Sequence, residues 1–138
     1  MALSSIQLIK KKCIPVFKKY PVSFSYLFGS QATGKTIKTS DIDIAVMLDA
    51  KLSKKKRIDL RFTLIEDFSA QLGREVDVVI LNDIESVVLK FAVIKEGRAL
   101  YIRDEELYLD FELRTMGEYH DFAPFLAMYN KAYVERNV

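Results

Sequence analysis

"LFGSQATGKTIKTSDIDIAV", Leu27 to Val46, is the stretch on which the fold turns. It begins at the end of an alternating run, Val22, Phe24, Tyr26 and Phe28, which reads as one face of a strand stopping at Gly29. Ten residues after Ser30 a second run opens, with Ile42, Ile44, Val46 and Leu48 on one face and Asp41, Asp43, Ala45 and Met47 on the other. No acidic residue lies between Ser30 and Asp41. Glycine lets a backbone approach a ligand closely, and serine adds a hydroxyl and an N–H donor. If a helical turn follows, its free N–H groups favour an anionic phosphate chain. Alternate strand residues point the same way about 6.6 Å apart. Two such carboxylates can share hard cations such as Mg²⁺, which takes few protein ligands and fills its shell with water and substrate phosphates. The stretch therefore reads as a phosphate-holding turn followed by a metal-holding strand, with acids kept out of the loop because they would repel the substrate.

Outward from this centre the chain alternates helices and strands. Residues 4–19 place Ile6, Ile9, Cys13 and Val16 at helical spacing, with Pro15 expected to limit or kink the end. Ser53 is the expected cap of a helix to Leu72 that buries Ile58, Phe62, Ile65 and Leu72 and stops at Gly73. "EVDVVILN", residues 75–82, reads as a third strand with Asp77 on the face opposite Val76, Val78 and Ile80. If this strand neighbours residues 41–48, at about 4.8 Å, Asp77 converges on Asp41 and Asp43. A third carboxylate would complete a two-metal site. Asp83 is the expected cap of a helix carrying Ile84, Val87, Val88, Phe91 and Ile94 and ended by Gly97. A short strand, "ALYI", then precedes a long helical stretch, about Glu105 to Val134, in which Pro124 predicts a kink or break. The aromatics of this tail, Tyr108, Phe111, Phe122, Phe125 and Tyr129, are expected to be mostly core.

These elements predict an α/β (α+β) fold, a small mixed central sheet flanked by helices. We expect one domain over residues 1–138, with a core of about 20–102 and a C-terminal helical extension of about 104–138. The 138 residues are half hydrophobic, enough for one core, and the net charge of +2 gives no bulk signature of a nucleic-acid binder. A lone Cys13 excludes an intramolecular disulfide, and with the single His120 it cannot make a familiar zinc site. No apolar run approaches the roughly 18 residues that span a bilayer. Lys10 to Lys12 follow the N-terminal apolar residues instead of preceding them, unlike a secretory signal. A soluble protein in the reducing cytoplasm is expected.

The loop also satisfies the Walker A pattern through Gly29, Gly34, Lys35 and Thr36. That motif needs a long helix after it, and only four residues separate Thr36 from Asp41, so a P-loop is set aside. Lys51, Lys54, Lys55, Lys56 and Arg57 form the strongest basic cluster. A solvated helix start is its expected meaning, although cations there oppose the helix dipole; RNA or an acidic partner is the alternative.

Gly29-Ser30, ten residues, then Asp41-Ile42-Asp43 resembles the signature of the nucleotidyltransferase superfamily typified by DNA polymerase beta. "EVDVVILN" resembles that superfamily's third-carboxylate strand, with Asp77 in the matching place. The chain's length and its stretch "FAVIKEGRALYIRDEELYLDFELRTMGEYHDF" resemble the minimal nucleotidyltransferases (MNT), the antitoxin half of HEPN–MNT toxin–antitoxin pairs. The resemblance covers nearly the whole chain and implies a palm-like fold. It also implies an ATP- and Mg²⁺-dependent adenylyltransferase that silences a partner HEPN ribonuclease by attaching AMP to a tyrosine. By matching position, Gly29 and Ser30 would bind the nucleotide's triphosphate, and Asp41 and Asp43 would hold the metals. Asp77 would complete the metal site and help activate the tyrosine hydroxyl.

Many relatives carry an arginine just before the loop's second glycine; here Thr33 precedes Gly34, a departure from that pattern for which Lys35 or Lys38 is a candidate substitute as phosphate contact. Arg114 and His120 resemble the Arg–His pair of HEPN nucleases, but that fold is a helical bundle, for which three upstream strands leave too little chain. The expected partners are a HEPN toxin and ATP, without a membrane or direct nucleic-acid binding. Two other functions fit the same residues less fully: neutralisation of the toxin by steric binding alone, and nucleotidyl transfer to a small molecule such as an aminoglycoside. The intact carboxylate set favours the enzyme over the pure binder, and the lack of a second substrate-binding domain counts against the small molecule.

Overall fold

The run that ends at Gly29 and the run that opens at Ile42 become the two central strands of a single sheet. The computed structural model describes residues 5–29 and 42–137. Its elements are α1 (Ser5–Lys19), β1 (Val22–Phe28), β2 (Ile42–Leu48), α2 (Lys54–Leu72), β3 (Val76–Ile80), α3 (Val87–Glu96), β4 (Arg98–Ile102) and α4 (Glu105–Asn137). The sheet order is β3-β2-β1-β4. Strand β1 is antiparallel to both β2 and β4, whereas β2 and β3 run parallel, so the sheet is mixed as expected. The parallel pair is made by the crossover helix α2, as parallel neighbours require.

Strand alternation divides the interior into two layers. Ile42, Ile44, Val46 and Leu48 of β2 and Val76, Val78 and Ile80 of β3 pack against Cys13, Val16 and Phe17 of α1 and Leu64 and Phe68 of α2. On the opposite face Phe24, Tyr26 and Ala45 meet Val93 of α3, with Tyr108 and Phe111 of α4 beside them. The expectation that Val22 shares a face with Phe24 fails. The register slips between these two residues, which sends Val22 into the first layer and Phe24 into the second.

Helix α2 starts and stops where its capping residues predict. The Ser53 hydroxyl accepts the Lys56 N–H at 3.2 Å. Gly73 takes φ 63° and donates to the Ser69 carbonyl. Its buried face is another matter. Ile58 and Phe62 are exposed, at 46% and 60%, while Leu64 and Phe68 are fully buried, with Leu60, Ile65 and Leu72 packed partly beside them. The helix carries two apolar stripes, and contact with α1 and the sheet selects the one through Leu60, Leu64 and Phe68.

The expected cap at Asp83 is also corrected. Residues Leu81–Asp83 form a 3₁₀ turn, and Ser86 caps α3 by accepting the Leu89 N–H at 3.2 Å. Asp83 instead receives a two-pronged Arg57 at 2.7 and 3.1 Å, so this member of the basic cluster is an internal tether. Neither proline ends a helix: α1 continues past Pro15, and α4 runs unbroken through Pro124. Both prolines are exposed, as are Lys11 and His120 four residues before them, so each carbonyl that loses its helical donor can turn to water. The tail aromatics split, with Tyr108 and Phe111 packed on the sheet and Phe122 and Phe125 exposed. Among the described residues no helix is long and apolar enough to cross a membrane.

Candidate active site

Three strand ends build the site. Because β2 and β3 are parallel, Asp43 and Asp77 are direct partners in the register, level with each other on one face of the sheet. Ile42 and Ile44 flank Asp43, and Val76 and Val78 flank Asp77, all buried in the first layer, so both carboxylates are turned to the other face. Strand β1 supplies the third side. Phe28 is paired with Asp43, which places the chain reversal at Gly29 beside that carboxylate. Gly29 has φ 77°, and a Cβ there would stand 2.6 Å from the Asp43 Oδ2. Only glycine combines that backbone geometry with that closeness.

The two acids differ in surroundings. Asp43 is half-buried and Asp77 is exposed. The Asp77 Oδ1 accepts two hydrogen bonds at 3.0 Å, one from Arg61 Nη2 and one from the Val78 N–H. Arg61 also donates from Nε to the Val78 carbonyl at 2.7 Å. Arg61 carried no signal in the sequence, lying sixteen residues before Asp77 on a helix read only for its apolar spacing.

Of the residues expected to act, the structure brings together Gly29, Asp43 and Asp77. Ser30 and Asp41 lie outside the described residues, as do Thr33, Lys35 and Lys38 and the turn expected after Ser30. Among the described residues no three potential metal ligands cluster. The paired carboxylates nevertheless suit a hard divalent cation, which prefers oxygen donors and leaves positions for phosphate oxygens. Lacking a Cβ, Gly29 stands close against the Asp43 carboxylate, where a side chain would press into it. The Arg114–His120 pair on α4 forms no second centre. Arg114 is bound to Asp110 at 3.0 Å and His120 is exposed.

A glycine turn beside carboxylates level on neighbouring strands of a mixed sheet fits one class of enzyme, the nucleotidyltransferases. Residues 11–106 match the family described as "Polymerase beta, Nucleotidyltransferase", and the chain belongs to that family. It is 37% identical over 93 residues to a "Putative protein adenylyltransferase" of Methanocaldococcus jannaschii, an alignment covering 67% of this chain and 95% of the relative. Its fold is similar to a chain of a toxin–antitoxin complex with AMP-PNP, at TM-score 0.70 and 28% identity over 90% of this chain and 98% of that one. It is also similar to a chain of the complex between a tri-AMPylated Shewanella oneidensis HEPN toxin and its MNT antitoxin. That match has TM-score 0.66 and 27% identity, covering 93% of this chain and 98% of the other. Within its family the chain is thus a minimal nucleotidyltransferase of the antitoxin type.

Proposed function

We propose that the protein transfers AMP from ATP to a tyrosine of a HEPN-domain ribonuclease toxin and thereby silences it, in the cytoplasm, where ATP is supplied. The observation that carries this reading is the in-register pairing of Asp43 with Asp77 beside the glycine turn. Gly29 and Ser30 bind the triphosphate. Asp41, Asp43 and Asp77 would hold Mg²⁺, which when bound would neutralise phosphate charge and lower the pKa of the attacking hydroxyl. The tyrosine oxygen forms a bond to the α-phosphorus, and the bond from that phosphorus to the β-bridging oxygen breaks. Pyrophosphate leaves with the electron pair. Asp77, the more exposed of the two described acids, takes the phenolic proton. A protein acceptor accords with the exposed apolar side chains along α4, among them Leu109, Leu113, Phe125 and Met128, which offer a surface for a partner.

The test is intact-mass spectrometry of the toxin co-expressed with the wild-type protein or with Asp41→Asn/Asp43→Asn. The expected result is a gain of one or more AMP masses on the toxin that disappears with the double variant. An unmodified toxin that both forms still silence would overturn the reading in favour of steric neutralisation. AMP found only on a small molecule would move the acceptor.

A further inference from the structure

Among the described residues strand β3 is an edge of the sheet, paired on one side with β2 and open on the other. An open edge leaves backbone groups to be satisfied by side chains or water. Arg61, projecting from α2, covers this edge. Its Nε takes the Val78 carbonyl at 2.7 Å and its Nη2 takes the Asp77 Oδ1 at 3.0 Å, so one planar group grips main chain and carboxylate together. Because the guanidinium is rigid, the backbone bond fixes where the second donor stands. The Val78 N–H closes on the same Oδ1 at 3.0 Å. Both donors therefore converge on a single oxygen, and among the described residues no donor reaches Oδ2.

We propose that Arg61 is a positioning residue for nucleotidyl transfer. It holds Asp77 by Oδ1, so that Oδ2 alone is presented towards the cation and the acceptor hydroxyl, and it offsets the charge of two carboxylates standing level on adjacent strands. The inference rests on the reading of Asp77 as the third carboxylate. It has a consequence of mixed sign. Removing the arginine leaves Oδ1 with the Val78 N–H as its remaining donor and takes a positive charge from beside the cation site, which strengthens cation binding. The same change loosens Asp77 and slows the reaction. A purely structural role would weaken both together.

The experiment uses Arg61→Met and Arg61→Gln, the latter able to keep a hydrogen bond to the Val78 carbonyl without a charge. Binding of Mn²⁺ alone is followed by electron paramagnetic resonance, and transfer by single-turnover AMP incorporation into the toxin. Urea unfolding verifies that each variant is folded. We expect both variants to bind Mn²⁺ several-fold more tightly. The transfer rate constant should fall on the order of 10- to 100-fold, with the ATP concentration for half-maximal rate changed less than about 2-fold. In an Asp77→Asn background, Arg61→Met should add almost nothing to the loss, because the arginine acts through that carboxylate. Unchanged or weaker Mn²⁺ binding, or a full additional loss in the Asp77→Asn background, would overturn the proposal. A wild-type protein that binds Mn²⁺ but modifies no toxin would overturn the toxin reading instead, while the Mn²⁺ comparison would still judge Arg61.

Discussion

At Gly29 two requirements meet in one residue. Its φ of 77° costs an L-residue about 1–2 kcal/mol, and a methyl group would press into the Asp43 carboxylate at 2.6 Å. Gly73 has nearly the same conformation, φ 63°, but a Cβ there would meet nothing within 4 Å. The pair forms a natural control. Gly73→Ala should cost only the backbone strain, about 1–2 kcal/mol in urea unfolding, and leave AMP transfer unchanged. Gly29→Ala should lose a similar amount of stability and also slow single-turnover transfer on the order of 100-fold, because the carboxylate must move. Equal transfer by the two variants would reduce Gly29 to a turn residue.

Helix α2 shows how packing chooses between faces that spacing leaves equivalent. Phe68 lies edge-on to Phe17 at a centroid distance of 5.2 Å and is fully buried, whereas Phe62 is 60% exposed. Phe68→Ala should therefore destabilise the protein by about 3–5 kcal/mol, and Phe62→Ala by no more than about 0.5 kcal/mol. Urea denaturation of the two variants decides it, and a large loss at Phe62 would mean that α2 is turned on its axis. The packed face also serves the site, since seating Leu64 and Phe68 against the sheet leaves Arg61 at the edge of β3, within reach of Asp77. The caps of this helix were readable because Ser53 and Gly73 act on their own neighbours in the chain. Its buried stripe was not, because that depends on α1 and the sheet.

For the molecule as a whole, the second layer binds α4 to the sheet through a buried phenol. The Tyr26 hydroxyl donates to the Glu112 Oε1 at 2.8 Å, with Phe24, Tyr108 and Phe111 packed around it. Burial first, and then the bond to Glu112, raises the Tyr26 pKa above its ordinary value. A group raised on folding contributes stability that is complete below its unfolded value, about 10 for tyrosine, and is lost as pH climbs above it. At pH 7, Tyr26→Phe should cost about 1 kcal/mol through the lost hydrogen bond. Between pH 9 and 11 the wild type should lose stability more steeply than the variant, as followed by urea unfolding across that range. Parallel curves would place the phenol in contact with water.

What the amino-acid order alone determined is local. Alternation at Ile42, Ile44, Val46 and Leu48 set a strand with Asp43 on the far face, and Gly29 marked the reversal before it. Caps at Ser53 and Gly73 set the limits of a helix, and the spacing of Gly29, Ser30, Asp41 and Asp43 pointed to the family. Each of these depends on residues a few positions apart, where backbone geometry fixes the relation. Tertiary structure alone decided that β3 lies parallel beside β2, with Asp77 level with Asp43. It decided which stripe of α2 is buried, that Val22 and Phe24 part company, that Ser86 replaces Asp83 as a cap, and that Arg61 grips Asp77. Those outcomes turn on contacts between segments distant in the chain, whose strength depends on the shape and burial of surfaces that exist only once the sheet and its helices have assembled.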